Sequence, residues 1–129
     1  MANETKSFVK EATVTREMLA DAVGSGSLPV LATPVVAALL EEAACTLAQG
    51  ELGEGLTTVG TKLCLSHDAP SAEGAHVWAQ ATLTSQEGRV FRFALEARDD
   101  AGVIASGTHE RVSVKAATFP AKAEARRQA

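Results

Sequence analysis

Tyrosine is absent from this chain of 129 residues, and its aromatic side chains are limited to four phenylalanines and one tryptophan. Alanine occurs 25 times. With so few large side chains to bury, the fold is expected to gain stability from self-association. Cysteine is also scarce. Cys45 and Cys64 stand apart in apolar stretches with no CxxC spacing, and they are expected to be reduced core residues of a cytosolic protein. Three histidines and two isolated cysteines give no metal-ligand spacing, so neither a metal nor a cofactor is expected. There is no excess of basic residues: the formal net charge is −4, which argues against a nucleic-acid partner. One or two arginines can still hold a small polyanion inside an acidic protein. Long hydrophobic runs are missing too. Leu28 to Leu40 is interrupted by Pro29 and Pro34 and runs into Glu41 and Glu42, whereas a membrane span needs ~20 apolar residues. The polar segment Met1 to Lys10 has no apolar centre of the kind a secretory signal needs, so a cytoplasmic location is expected. The nucleophile-elbow, dinucleotide, P-loop and zinc-protease signatures are all lacking.

The remaining composition, 46% hydrophobic and 22% charged, suits a single folded domain over residues 1–129. Ser7 to Thr15 is expected to be a strand, and Arg16 to Ala20 a short helical turn ended by Gly24 to Gly26. Thr33 and Pro34 predict a helix start, with the threonine hydroxyl as cap and Gly50 as the stop. At about 100° per residue, Val35, Val36, Leu39, Leu40, Ala43 and Leu47 form its bulky side. Pro34, Ala37, Ala38, Glu41, Ala44, Cys45 and Ala48 form a stripe of small side chains around one carboxylate, which implies a close neighbour. Four strands are then expected: Leu56 to Leu65, His76 to Ser85, Val90 to Arg98 and Val103 to Val114. Their short connections favour antiparallel pairing, and in the third Phe91, Phe93, Leu95 and Ala97 share the core face. The predicted class is α+β, with one long central helix packed on an antiparallel sheet of about five strands.

Several residues are candidates for chemistry. Glu41, among alanines on a mostly apolar helix, must be solvated, paired or functional, whereas Glu42 is expected to face solvent. His67 closes a strand where the sheet meets a loop, a place suited to catalysis or to a hydrogen bond with a loop carbonyl. His76 is expected to be exposed, and His109, within Gly107 to Arg111, to be structural or functional. Arg111 beside Glu110 is expected to form a cross-strand salt bridge or to contact an anion. Thr33 lies at the positive end of a helix dipole, where a developing oxyanion would be stabilised.

Three segments, LPVLATPVVAALLEEAA, TTVGTKLCLSHDAP and GVIASGTHER, together resemble the hotdog-fold thioesterases related to fluoroacetyl-CoA thioesterase. The resemblance runs through most of the chain. It implies a hotdog fold, a long helix wrapped by an antiparallel sheet, and a homodimer or higher homo-oligomer with active sites between subunits. It also implies a catalytic set of Thr33, Glu41 and His67, with Gly60 near the acyl group and Arg111 in contact with substrate. Where the family has a phenylalanine gate, this chain has Gly24 to Leu28, which leaves the acyl group open.

The expected reaction is hydrolysis of an acyl-CoA thioester, coenzyme A being part of the substrate. Glu41 is expected to act as base or nucleophile, His67 to transfer protons and Thr33 to stabilise the carbonyl oxygen. A non-catalytic acyl-CoA-binding protein and, more remotely, an enoyl-CoA hydratase or dehydratase are the alternatives.

Overall fold

A computed structural model describes residues 5–129. The first four residues of the polar N-terminal stretch lie outside it. The chain forms β1 (Ser7–Thr13), a single 3-10 turn (Arg16–Met18), α1 (Ala20–Val23), α2 (Thr33–Gln49), β2 (Leu56–His67), β3 (His76–Glu87), β4 (Val90–Asp99), β5 (Gly102–Lys115) and α3 (Pro120–Arg127). The strands form one sheet in the order β1-β3-β4-β5-β2, and every neighbouring pair is antiparallel. Short turns make β3-β4-β5 a meander, while β2 and β1 close the two edges.

The alternation in β4 holds: Phe91, Phe93, Leu95 and Ala97 are all buried, each phenylalanine contributing about 1.5–3 kcal/mol of burial. Against them α2 lays Val36, Leu40, Ala43, Ala44 and Ala48. Ala44 and Ala48 therefore belong to the core face, not to the small-residue stripe opposite it. The helix touches all five strands, so the sheet covers more of its circumference than a flat layer would. Buried Ala79, Ala81, Ala97 and Ala105 line the facing strands. Methyl-sized side chains on both surfaces let helix and sheet approach closely, which accounts for the alanine content.

Two expectations about local structure are corrected. Thr33 is not the helix cap. Ala32 occupies that place, its carbonyl accepting the N–H groups of Val35 and Val36 at 3.0 and 3.1 Å, and Thr33 is the first helical residue. Gly50 is the stop of α2 as expected, though in a right-handed rather than a left-handed conformation. Cys64 is exposed, because it alternates with Leu65, which packs on the core, and so points to the sheet face away from α2; Cys45 is half-buried, and both are free thiols. The helix α3 was not foreseen. None of its residues is buried, so no apolar stripe marked it, and Glu124 is paired locally with Arg127. Among the described residues no helix is long and apolar enough to cross a membrane.

Candidate active site

Because the Ala32 carbonyl starts α2, the Thr33 hydroxyl is free for another partner. It lies 2.7 Å from Nδ1 of His67, the last residue of β2. The chain beyond His67 is pinned by the Asp68 and Ala69 N–H groups, which donate to the Ile104 carbonyl at 2.7 and 3.2 Å. The other ring nitrogen, Nε2, is buried and has no hydrogen-bond partner within the described residues. Thr33 and His67 line a cavity of about 280 Å³ together with Ser25, Ala32, Asp68 and Pro70. A larger hollow of about 540 Å³ lies over Val9, Trp78 and Arg98. It belongs to the opposite face of the sheet, since Trp78 alternates with the buried Val77 and Ala79, and it contains none of the candidate residues.

Glu41 is eight residues beyond Thr33, which places it about 12 Å further along the helix axis. Within one chain its basic neighbours are Arg111 Nη1 at 3.9 Å and His109 Nε2 at 4.0 Å, not His67. Its side chain is 42% exposed, while that of Arg111 is 9% exposed. The buried guanidinium is held by Nε donating to Thr58 Oγ1 at 2.7 Å and Nη2 donating to the Thr58 carbonyl at 3.2 Å. Gly60 is the residue directly opposite Arg111 on β2, and it makes room for this arrangement. A Cβ there would stand 2.9 Å from Glu41 Oε2, 3.2 Å from His109 Cε1 and 3.4 Å from Arg111 Nη1. A buried cation needs a counter-charge, and Glu41 supplies it.

The salt bridge expected of Arg111 is made not across strands but to Glu41 on α2. Successive residues of a strand point to opposite faces, so Glu110 instead meets Arg92 Nε at 2.8 Å. His109 shares the face of Arg111 and is buried, its Nδ1 2.7 Å from the Lys62 carbonyl. Sequence reasoning left His109 undecided and missed Thr58. The i, i+2 spacing of His109 with Arg111, and of Thr58 with Gly60, was the available signal. His76 takes no part: it pairs with Glu11 at 2.9 Å and stacks on Trp78. Glu42 is exposed and meets Lys10 at 2.9 Å.

Burial pushes the His109 pKa below the ordinary value of 6.5. The Lys62 hydrogen bond opposes this shift, the Arg111 charge adds to it and the Glu41 charge opposes it. The unfolded chain then takes up a proton near 6.5 that the folded chain refuses until lower pH. The stabilisation is therefore complete above 6.5 and is lost as pH falls below it. The melting temperature should decline from pH about 7 toward about 5, and part of that slope should vanish in His109→Gln. Identical slopes in the two proteins would contradict the assignment.

A long helix cradled by a five-stranded antiparallel sheet, with its polar side chains turned toward the edge strand β2, defines a hotdog-fold protein. A hot-dog-like protein from Thermanaerovibrio acidaminovorans shares this fold with a TM-score of 0.81, at 22% identity over 95% of this chain and 90% of that one. The family model described as fluoroacetyl-CoA-specific thioesterase matches residues 14–117, and the chain belongs to that family and is a thioesterase. The fluoroacetyl-CoA thioesterase of Streptantibioticus cattleyicolor is 36% identical over 93 residues, covering 72% of this chain and 67% of the relative. A variant of the fluoroacetyl-CoA-specific thioesterase, solved in complex with fluoroacetate and CoA, superposes with a TM-score of 0.87. It is 28% identical over 92% of this chain and 98% of that one.

Proposed function

We propose that this thioesterase hydrolyses an acyl-CoA thioester to a free acid and CoA, with Thr33, Glu41 and His67 as its catalytic residues and Gly60 and Arg111 as substrate-site residues. The observation that carries this reading is the Glu41 carboxylate, open to solvent on one side and backed on the other by the buried Arg111 guanidinium. A carboxylate so placed is held by a fixed cation while its other side stays open to water and substrate, as a base or nucleophile requires.

In the base route Glu41 removes a proton from water as its oxygen attacks the thioester carbonyl carbon. The oxyanion of the tetrahedral intermediate accepts hydrogen bonds from the Thr33 hydroxyl and neighbouring N–H groups. Collapse restores the carbonyl and breaks the carbon–sulfur bond, and the thiolate leaves with a proton delivered through His67. In the nucleophile route a Glu41 oxygen attacks the same carbon, the thiolate departs, and water then hydrolyses the mixed anhydride. A single turnover in ¹⁸O-water that places label in the Glu41 carboxylate marks the anhydride route. A thiol of pKa about 8.5 needs little help to leave, so activation of water and stabilisation of the oxyanion dominate the barrier.

Within one chain the Thr33–His67 pair and Glu41 are separate. Among the described residues the outer edge of β2 is unpaired, and it carries the exposed residues Thr61, Lys62, Leu63 and Cys64. These features support a homodimer that closes the substrate groove between two copies. The absence of a metal-ligand pattern in the sequence supports hydrolysis without a cofactor, and the free thiols of Cys45 and Cys64 support a cytoplasmic location. The segment before α2 supplies no phenylalanine, and Leu28 there is 64% exposed, so the acyl group is left to experiment. Thiol release should be measured over a panel from acetyl-CoA and fluoroacetyl-CoA to longer and aromatic acyl-CoAs. Saturable turnover of at least one is expected. Saturable binding of the panel without thiol release would overturn the proposal.

A further inference from the structure

His109 is buried among groups that leave its ring little freedom. The Lys62 carbonyl can only accept, so the 2.7 Å contact requires Nδ1 to carry a hydrogen. The opposite nitrogen, Nε2, lies 3.2 Å from Arg111 Nη1, and a guanidinium can only donate. The ring is therefore neutral, donating at one end and accepting at the other. The acceptor end holds the same guanidinium nitrogen that stands 3.9 Å from Glu41 Oε2. Thr58 fixes the Nε and Nη2 side of Arg111, which leaves His109 as the group that sets Nη1. The three side chains converge where the β2–β5 register shifts between Gly60 and Lys62, the kind of bulge that re-aims a side chain. Phe93 flanks the ring with centroids 6.0 Å apart, and the His109 side chain is 1% exposed, so bulk water does not compete for Nε2.

We infer that His109 is a positioning residue for catalysis: as the neutral Nδ1–H tautomer it accepts from Arg111 and so fixes the cation that holds the Glu41 carboxylate in its working orientation. The inference rests on Glu41 acting as base or nucleophile. His109 itself moves no proton in the reaction. Its buried ring and fixed tautomer would be without purpose in a strand that only needed to fill space, where an apolar residue avoids the desolvation cost.

Two substitutions divide the roles of the ring. In His109→Asn the amide nitrogen can replace Nδ1 and keep the bond to Lys62, but no atom replaces Nε2. In His109→Gln the side-chain oxygen can replace Nε2 and keep the acceptor for Arg111, while the Lys62 bond is lost. Positioning through Arg111 predicts that Asn lowers kcat by ~10-fold or more with KM within ~2-fold, while Gln stays within ~3-fold of wild type. His109→Asn should add no further loss on top of Arg111→Gln, since both break the same contact.

The opposite order, with Asn active and Gln impaired, would reduce His109 to a structural anchor and overturn the inference. Equal losses that follow the melting temperature would do the same, as would additive losses in the double variant. Nitrogen-15 shifts of the histidine ring in the unmodified protein provide a check that needs no substitution. A protonated Nδ1 and bare Nε2 at neutral pH are expected, and an Nε2–H tautomer would overturn the inference. The companion variant Glu41→Gln separates the two levels. Full activity there removes the role of Glu41 itself, whereas an inactive Glu41→Gln beside a fully active His109→Asn removes only the role of His109.

Discussion

Glu41→Gln should lower kcat by ~100-fold or more while KM changes little. Glutamine preserves the length and shape of the side chain but cannot accept a proton from water or attack a carbonyl carbon. Its amide oxygen can still face Arg111 Nη1, so the local geometry survives, and the side chain is open enough to solvent to make the substitution mild for folding. A 100-fold loss corresponds to about 2.7 kcal/mol of transition-state stabilisation, within the range one general base supplies. Thiol release under saturating acyl-CoA measures it directly. A variant that turns over at the wild-type rate would show that the carboxylate serves only as a counter-ion to Arg111.

The second large effect distinguishes two glycines of the β2–β5 pair. At Gly107 an added Cβ would lie 2.0 Å from the Cys64 carbonyl oxygen and 3.0 Å from Leu65 Cα. Those are backbone atoms of the neighbouring strand, and they cannot yield without breaking the ladder. Gly107→Ala should cost about 3 kcal/mol or more, seen as a fall in Tm of roughly 10 °C or more. At Gly60 the nearest obstacle is instead the end of the flexible Glu41 side chain. Gly60→Ala should therefore fold with little change in Tm but lose ~10-fold or more in kcat, because the displaced carboxylate no longer meets its target. Calorimetry and thiol release on both variants check the pair. A stable, active Gly107→Ala or a fully active Gly60→Ala would contradict the packing described for that position.

Most of the fold was legible because its signals are local. Turn residues bounded the strands, and short connections required antiparallel neighbours. The alternation of Phe91, Phe93, Leu95 and Ala97 identified the buried face of β4. The proline-started helix was also clear, but its buried side was only half read. Periodicity weighs side-chain size, and Ala44 and Ala48 are too small to register although both are fully buried. Cys64 faces outward because it alternates with Leu65, which packs on the core, and only the packed structure shows which face of this edge strand meets α2.

The candidate site divides in the same way. Thr33, Glu41, His67, Gly60 and Arg111 were named from residue type, position and family resemblance. Thr58 was missed and His109 left undecided, because their importance arises from contacts between residues more than forty positions apart in the chain. Arg111 reaches Thr58 across the β2–β5 ladder, and His109 reaches Lys62 the same way.

The sequence by itself determined the element types, the antiparallel connectivity and the set of chemically capable residues, since these depend on dihedral preferences, periodicity and side-chain chemistry within short windows. Only the tertiary structure decided which of those residues meet. It released the Thr33 hydroxyl from the helix start to His67, sent Glu110 to Arg92 and brought Arg111 beneath Glu41. Those pairings follow from strand register and from the closeness of an alanine-lined helix to its sheet, which are set by long-range packing.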